Sequence, residues 1–298
     1  MKDTDFAYAV ARIRAREPDL MRAADMEQLL SAPDPAAAES LLAGKGYPVE
    51  LGLDAALHAK AARAWQLVAE LLPQPGAAPP GTGILDFLIV KNDFHNLKAQ
   101  VKAIFTAGGA ESYLVRPTVF DPDEVGELLR AKRFAGLPAC MAACAQEAYE
   151  LLARTMDGQL ADAVIDRQCL ETILAMAGGS AFAAGLAEKI CAFANARIAL
   201  RAEKTHKLGL LEQALCSVPA AEIPAEAKQS SAEFEKYCDD ALMEYALPAK
   251  WKCFGPEPLI AYFLAVEAEI KTVRIVMACR QHGAAADEIR KRVRRLYV

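Results

Sequence analysis

The amino-acid sequence predicts an all-α protein assembled from three similar helical units. Hydrophobic residues make up 54% of the 298 residues, whereas aromatic residues make up only 7%, so the apolar content comes mainly from alanine. Alanine is the strongest helix former, while β-branched and aromatic residues favour strands. A second observation is internal repetition, because three long apolar runs share one short polar pattern.

The shared pattern is a polar residue, then an apolar or small residue, then a cation. It reads Asn96-Leu97-Lys98, Asn195-Ala196-Arg197 and Glu269-Ile270-Lys271. We call the helices that carry it the signature helices and predict them over residues 84–107, 180–206 and 256–282. The repeat divides the chain into three predicted units. These are residues 1–110 with the N-terminal helix, residues 111–207, and residues 208–298 with the C-terminal helix.

The remaining helices follow from amphipathic spacing and from helix-ending residues. The N-terminal helix stops before Pro18, because a residue that precedes proline is displaced from helical geometry. Residues 73–83 are so rich in proline and glycine that they predict a loop. The other predicted helices are 5–16, 24–32, 35–44, 51–72, 122–132, 138–156, 160–177, 208–215, 225–247 and a final helix opening at Asp287.

Charge and cysteine usage exclude several classes of protein. The net charge of −5 does not indicate nucleic-acid binding. The eight cysteines include no Cys-x-x-Cys pair and fall in alanine-rich runs, so we expect reduced core thiols, with disulfides as the alternative. The N-terminus has no apolar signal segment. The longest uncharged stretch, 172–187, is too short for a membrane span, and Gly178-Gly179-Ser180 interrupts it. We expect a cytoplasmic protein.

The sequence contains no convincing catalytic, cofactor-binding or metal-binding constellation. No phosphate-binding loop is present, and Gly81-Thr82-Gly83 lacks the rest of a dinucleotide fingerprint. None of the four histidines has a second histidine one helical turn away. Cys140 and Cys144 share a helix face, but no further ligand accompanies them. An enzyme that uses a Cys140 thiolate stays open as an alternative, and it would need an electropositive, partly exposed site.

Basic residues crowd the first and last predicted helices. A solvated surface is the default interpretation, and a docking surface for an acidic partner or anionic headgroups is the alternative. The candidate docking residues are Arg12, Arg290, Arg294 and Arg295. In the last helix Ile289, Val293 and Leu296 are spaced as a core-facing stripe.

Several segments together resemble one family. They are Tyr8-Ala-Val-Ala-Arg12-Ile-Arg14-Ala, Asp93-Phe-His-Asn96-Leu-Lys98, Gly255-Pro-Glu-Pro-Leu-Ile-Ala-Tyr262 and the ending Glu288-Ile-Arg-Lys-Arg-Val-Arg-Arg-Leu-Tyr-Val298. Over nearly its whole length the chain resembles the C-type subunits of bacterial and archaeal V/A-type rotary ATPases (ATP synthases), the counterparts of the d-type subunits of eukaryotic V-ATPases.

The resemblance implies a non-catalytic, funnel-shaped rotor subunit of three subdomains around a central cavity. Such a subunit joins the central shaft, made of the D and F subunits, to the membrane ring of proteolipid subunits and transmits torque between ATP turnover and H⁺ or Na⁺ transport. It needs no cofactor and has no membrane span of its own. The alternative is a helical-repeat scaffold unrelated to a rotary motor. A closed arrangement predicts contact between the first and third units, whereas an open solenoid does not.

Overall fold

A computed structural model of the chain describes residues 2–72, 79–106, 109–206, 209 and 211–298. These residues form α-helices, short 3-10 turns and connecting segments, with no strand among them. The prediction of an all-α fold is therefore confirmed. The helices are α1 (Ala7–Arg16), α2 (Ala23–Ser31), α3 (Pro35–Gly44), α4 (Leu53–Glu70), α5 (Val90–Ala103), α6 (Pro122–Arg130), α7 (Ala139–Thr155), α8 (Gly158–Met176), α9 (Ala181–Thr205), α10 (Leu211–Ala214), α11 (Ser231–Ala246), α12 (Glu257–Gln281) and α13 (Ala286–Arg292).

Local sequence sets most of the helix ends. The Asp34 carboxylate accepts the Ala37 N–H at 2.8 Å and caps α3, and Ser180 caps α9 in the same way. The first signature helix is shorter than predicted, because a 3-10 turn over Asp86–Leu88 precedes α5. Residues 73–78 of the predicted loop and residues 208 and 210 of a predicted short helix lie outside the described residues.

The chain folds into two compact units. Unit 1 contains the residues up to 77 together with residues 223–298, and unit 2 spans residues 78–222. Unit 1 thus combines parts of the first and third units that the repeat predicts. The division into three similar subdomains stays a prediction.

Unit 1 is organised around the third signature helix, α12. This helix packs against α1, α2, α4 and α11, and Leu259, Phe263 and Val273 on it are fully or almost fully buried. The Trp65 ring of α4 meets Phe263 edge-on, with centroids 5.5 Å apart. One core therefore joins the N-terminal helices to the C-terminal signature helix.

Unit 2 is organised around α5 and α8. Val90, Phe94, Leu97 and Val101 recur at helical spacing on α5 and are buried, and this helix packs against α6, α7 and α8. α6 approaches α5 closely at Gly126, where a Cβ would lie 2.9 Å from Gln100 Nε2 and would displace this amide from the Pro122 carbonyl to which it donates.

The predicted continuation of the last helix is wrong. α13 ends at Arg292, and Val293 has an extended backbone with ψ of 138°. The tail instead pairs with α11: Lys236 Nζ donates to the Val293 carbonyl at 2.7 Å, and the Arg295 N–H donates to Asp240 at 2.6 Å. Ile289 is buried as predicted, but the buried residue near the terminus is Tyr297 rather than Leu296.

Replacing Tyr297 by alanine should destabilise unit 1, because the ring is 3% exposed and its loss leaves a cavity. We expect a loss of about 3 kcal/mol in the free energy of unfolding. Both tryptophans lie in unit 1, so tryptophan fluorescence during urea unfolding reports on this unit. Tyr113→Ala, at an exposed site in unit 2, is the control. An unchanged midpoint for Tyr297→Ala would show that the tail is not part of the core.

Candidate functional site

Each signature helix buries the polar residue of its shared pattern. Asn96 and Asn195 are 2% exposed and Glu269 is 1% exposed. A polar group removed from water costs free energy unless it finds hydrogen-bond partners, so each of these side chains must be matched inside the fold. The hydrogen-bond partners of these three side chains show the structural role of the shared pattern.

The first signature helix fixes the segment that follows it. The Asn96 side-chain amide donates to the Val115 carbonyl at 2.9 Å and accepts the Val115 N–H at 2.8 Å. One turn earlier, the Asp93 carboxylate accepts the N–H groups of Val119 and Phe120, each at 2.9 Å. Two side chains on α5 thereby fix the backbone between residues 115 and 120.

The second signature helix repeats this arrangement. The Asn195 amide accepts the Cys216 N–H at 3.2 Å and donates to the Cys216 carbonyl at 3.2 Å and to the Val218 carbonyl. Cys216 follows Asn195 by 21 residues in the sequence, and Val115 follows Asn96 by 19 residues. The two asparagines therefore hold equivalent connecting segments.

The third signature helix holds the beginning of the chain instead. Glu269 Oε2 accepts the Met21 N–H at 2.8 Å, and Oε1 accepts the Tyr47 hydroxyl at 2.7 Å. The Lys60 ammonium lies 3.6 Å from Oε1 and 4.8 Å from the centroid of the Tyr47 ring. An asparagine side chain both donates and accepts, whereas an ionised glutamate only accepts, and Glu269 is surrounded by donors accordingly.

Burial shifts the ionisation of two of these groups. It raises the pKa of Tyr47, and the adjacent Glu269 carboxylate adds to the rise, so Tyr47 stays a neutral donor. Burial also raises the pKa of Asp93 to about 6, although the N–H groups of Val119 and Phe120 act in the opposite direction.

In the first and third signature helices, the cation of the shared pattern forms an ion pair with a neighbouring helix. Lys98 Nζ lies 2.6 Å from Asp166 on α8, and Lys271 Nζ lies 2.6 Å from Asp239 on α11. Burial alone would raise the pKa of Asp239, but Lys271 and Arg294 outweigh it and hold that pKa below its ordinary value. The buried polar residue of each signature helix thus fixes another segment of the chain, and in the first and third helices the cation two positions later pairs with a packed helix.

A family model described as ATP synthase (C/AC39) subunit matches residues 9–219 and 212–292, which include all three signature helices. The chain belongs to this family. No curated protein matches the chain. The resemblance to the C-type subunits of the V/A-type ATPases is thereby confirmed.

In this C/AC39 protein, the four candidate docking arginines differ in their ion-pair partners. Arg290 lies 2.8 Å from Glu27 of α2, and hydrogen bonding to Arg290 lowers the pKa of Glu27. The Arg294 side chain is 10% exposed and lies 2.8 Å from Asp239. Arg295 is exposed and approaches Glu244 at 3.4 Å. Arg12 is exposed on α1 and forms no ion pair with any residue that the structure describes.

The arginines differ in how their charge is held, because the Arg290 and Arg295 side chains are equally exposed, at 46% and 48%, but Arg290 pairs with both Glu27 and Asp287. The charge of Arg294 is used inside the fold, and Arg290 joins α13 to α2 on the surface. Arg12 and Arg295 keep their charged groups accessible. A docking role for any of the four stays a prediction, and these two are the residues whose geometry suits it.

The structure describes all eight cysteines and shows no disulfide among them, and five of them are buried: Cys144, Cys169, Cys191, Cys216 and Cys238. Burial raises the pKa of the Cys140 thiol, which is opposite to what a catalytic thiolate requires. Among the residues that the structure describes, no three His, Cys, Asp or Glu side chains are grouped as metal ligands would be. Among the described residues, no helix is long and apolar enough to span a membrane.

Sequence reasoning found Glu269 but missed its partners. Both Tyr47 and Lys60 lie far from Glu269 in the sequence, and Tyr47 precedes it by 222 residues. A sequence pattern within one helix therefore cannot predict these contacts. The role of Asp93 could have been predicted, because Asp93 lies one helical turn before Asn96 on the same helix face.

Replacing Asn96 by alanine should destabilise unit 2, because the Val115 N–H and carbonyl lose their partner. We expect a loss of about 2–3 kcal/mol. Urea unfolding followed by circular dichroism measures the loss, and faster hydrogen exchange of the Val115 amide locates it. Glu127→Ala, at an exposed site on α6 of the same unit, is the control. Equal stability of the two variants would contradict the assigned role of Asn96.

Asp93 should make unit 2 less stable as the pH rises through weakly acidic values. Its pKa is raised from 3.8 to about 6, so the folded state retains a proton that the unfolded state has lost. The stabilising contribution is complete below pH 3.8 and is lost as the pH rises to about 6, to a total of about 3 kcal/mol.

The measurement is urea unfolding of the wild-type chain and the Asp93→Asn variant at intervals from pH 4 to 7. The variant is less stable overall but lacks this contribution, so the difference between the two proteins should change with pH. A difference that stays constant across the range would contradict the raised pKa.

Proposed function

We propose that this C/AC39 protein is the non-catalytic socket of the rotor in a V/A-type rotary ATPase. It connects the central shaft of the D and F subunits to the proteolipid ring and transmits torque between ATP turnover and H⁺ or Na⁺ transport. In this role the chain lies peripherally on the cytoplasmic face of the membrane. The three predicted subdomains form a funnel around the cavity that receives the shaft.

The observation that carries the proposal is the contact between the predicted first and third units. Glu269 binds the Met21 N–H and the Tyr47 hydroxyl, and Arg280 of α12 donates to the Leu30 and Ala32 carbonyls at the end of α2. A closed arrangement of three units requires such contact, whereas an open solenoid leaves its first and last units apart. Together with the family match, this contact favours a socket over a solenoid scaffold.

The packing also suits a part that transmits torque. Buried side chains such as Asn96 and Glu269 tie connecting segments to long helices, so these segments cannot shift without breaking buried hydrogen bonds. Interiors packed in this way are weakly compressible and transmit strain.

Affinity purification of the tagged chain from its own cells tests the proposal. The D and F subunits and the proteolipid should co-purify and be identified by mass spectrometry. Recovery of unrelated proteins without rotary ATPase subunits would favour the scaffold alternative and overturn the proposal.

Reversing the accessible charges should weaken assembly. In the double variant Arg12→Glu and Arg295→Glu, we expect affinity for the shaft or the ring to fall on the order of tenfold at about 0.02 M salt and to approach that of the wild type at high salt, where screening is strongest.

Arg154→Glu and Arg130→Glu together make the matched control, since they place the same charge change on unit 2. Unchanged affinity of a folded Arg12→Glu/Arg295→Glu variant for both partners would assign these arginines to the solvated surface.

A further inference from the structure

A short loop in unit 1 exposes large aromatic side chains. It comprises the last two residues of a 3-10 turn over Leu247–Trp251 and the three residues that follow, Lys250-Trp-Lys-Cys-Phe254, and we call it the Trp251 loop. The Trp251 side chain is 86% exposed and Phe254 is 51% exposed. Large aromatic side chains usually bury most of their area, so two of them exposed within four residues indicate an interaction surface.

The exposure of Trp251 is built into a fixed backbone. Arg14 of α1 donates to the Ala249 carbonyl at 2.7 Å and to the Lys252 carbonyl at 3.0 Å. The Gly255 N–H donates to the Asp3 carbonyl at 3.0 Å, and the Lys252 N–H donates to Ala249 at 3.1 Å. Hydrogen bonds on both sides of Trp251 hold the loop backbone in place. The tryptophan is therefore exposed on an ordered backbone.

The residues around Trp251 indicate what it contacts. Both flanking residues are lysines: Lys250 lies over the Tyr297 ring at 4.8 Å, and Lys252 is exposed, 3.9 Å from Glu257. Lysine is depleted in protein–protein interfaces, where arginine is the favoured cation. Tryptophan beside lysine is instead typical of the membrane–water interface, where the ring lies at headgroup level and the ammonium reaches phosphate.

The helix that holds the loop adds a similar pair. Tyr8 on α1 is 69% exposed, and Arg12 follows one turn later on the same exposed face. Arg12 forms no ion pair within the described part of the chain, so its charge remains available for an anionic surface.

We propose that the Trp251 loop contacts the headgroup region of the lipid bilayer, with Trp251 and Phe254 at the interface and Lys252 facing lipid phosphates. This proposal rests on the proposed function, which brings the protein to the membrane. It adds a direct lipid contact to the contacts with the shaft and the ring.

Tryptophan quenching by brominated lipid tests the contact. In the full-length chain with Trp65→Phe, Trp251 is the remaining tryptophan. The chain is held on anionic vesicles by a histidine tag, placed after a long flexible C-terminal linker and bound to nickel-chelating lipid. The linker supplies a high local concentration without fixing the orientation of the protein. Lipids brominated in the upper acyl chain should quench Trp251 and shift its emission to the blue.

The matched control moves the probe to unit 2. The triple variant Trp65→Phe, Trp251→Phe and Tyr113→Trp places the tryptophan at position 113, where the native tyrosine is 66% exposed. We expect quenching at position 251 to be several-fold stronger than at position 113, and Lys252→Glu to reduce it. Absence of quenching at position 251, or equal quenching at both positions, would overturn the proposal.

A second readout separates this proposal from the proposed function. Co-purification of the D and F subunits and the proteolipid with the Trp251→Ser variant should equal that with the wild type. If these subunits do not co-purify with Trp251→Ser and lipid does not quench the Trp65→Phe chain, the loop makes a protein contact. That result would overturn the lipid contact and leave the proposed function standing. Failure of the wild-type chain to recover rotary ATPase subunits would instead overturn the proposed function.

Discussion

The fold depends on one polar side chain buried near the middle of each signature helix. Asn96, Asn195 and Glu269 are almost inaccessible to water, so each must bind backbone or side-chain groups brought from elsewhere in the chain. The apolar core alone would hold helices together in many registers. A buried polar group with fixed partners forms all its hydrogen bonds in only one of these registers. This requirement determines where residues 115–120, the backbone around Cys216 and the N-terminal segment around Met21 lie.

The third signature helix differs because its partners precede it. Met21 lies 248 residues before Glu269, so the N-terminal segment takes the place that a following segment takes in the first two helices. The change from asparagine to glutamate matches the change of partners from a peptide group to an N–H, a hydroxyl and an ammonium. This link joins the N-terminal segment and the third signature helix into one core.

The sequence predicted the helices well because alanine-rich amphipathic runs and their caps are local signals. The predicted and observed limits of α3 coincide, and Glu269 lies in the middle of α12. The final helix was predicted too long, since Asp240 and Lys236 bind the tail backbone and these contacts have no local signature. The partners of Glu269 and the ion pair that removes Arg294 from the surface were invisible for the same reason. Family membership was readable, because it rests on motifs spread along the whole chain.

Hydrogen exchange of the Met21 amide tests the central claim most directly, because this N–H is bound to Glu269 Oε2. In Glu269→Ala the Met21 amide should exchange much faster, while the Val115 amide of unit 2 should keep its protection. Arg274→Ala, at a half-exposed site on the same helix, should leave both amides protected. Unchanged protection of Met21 in Glu269→Ala would contradict the claim that the buried signature residue holds the N-terminal segment.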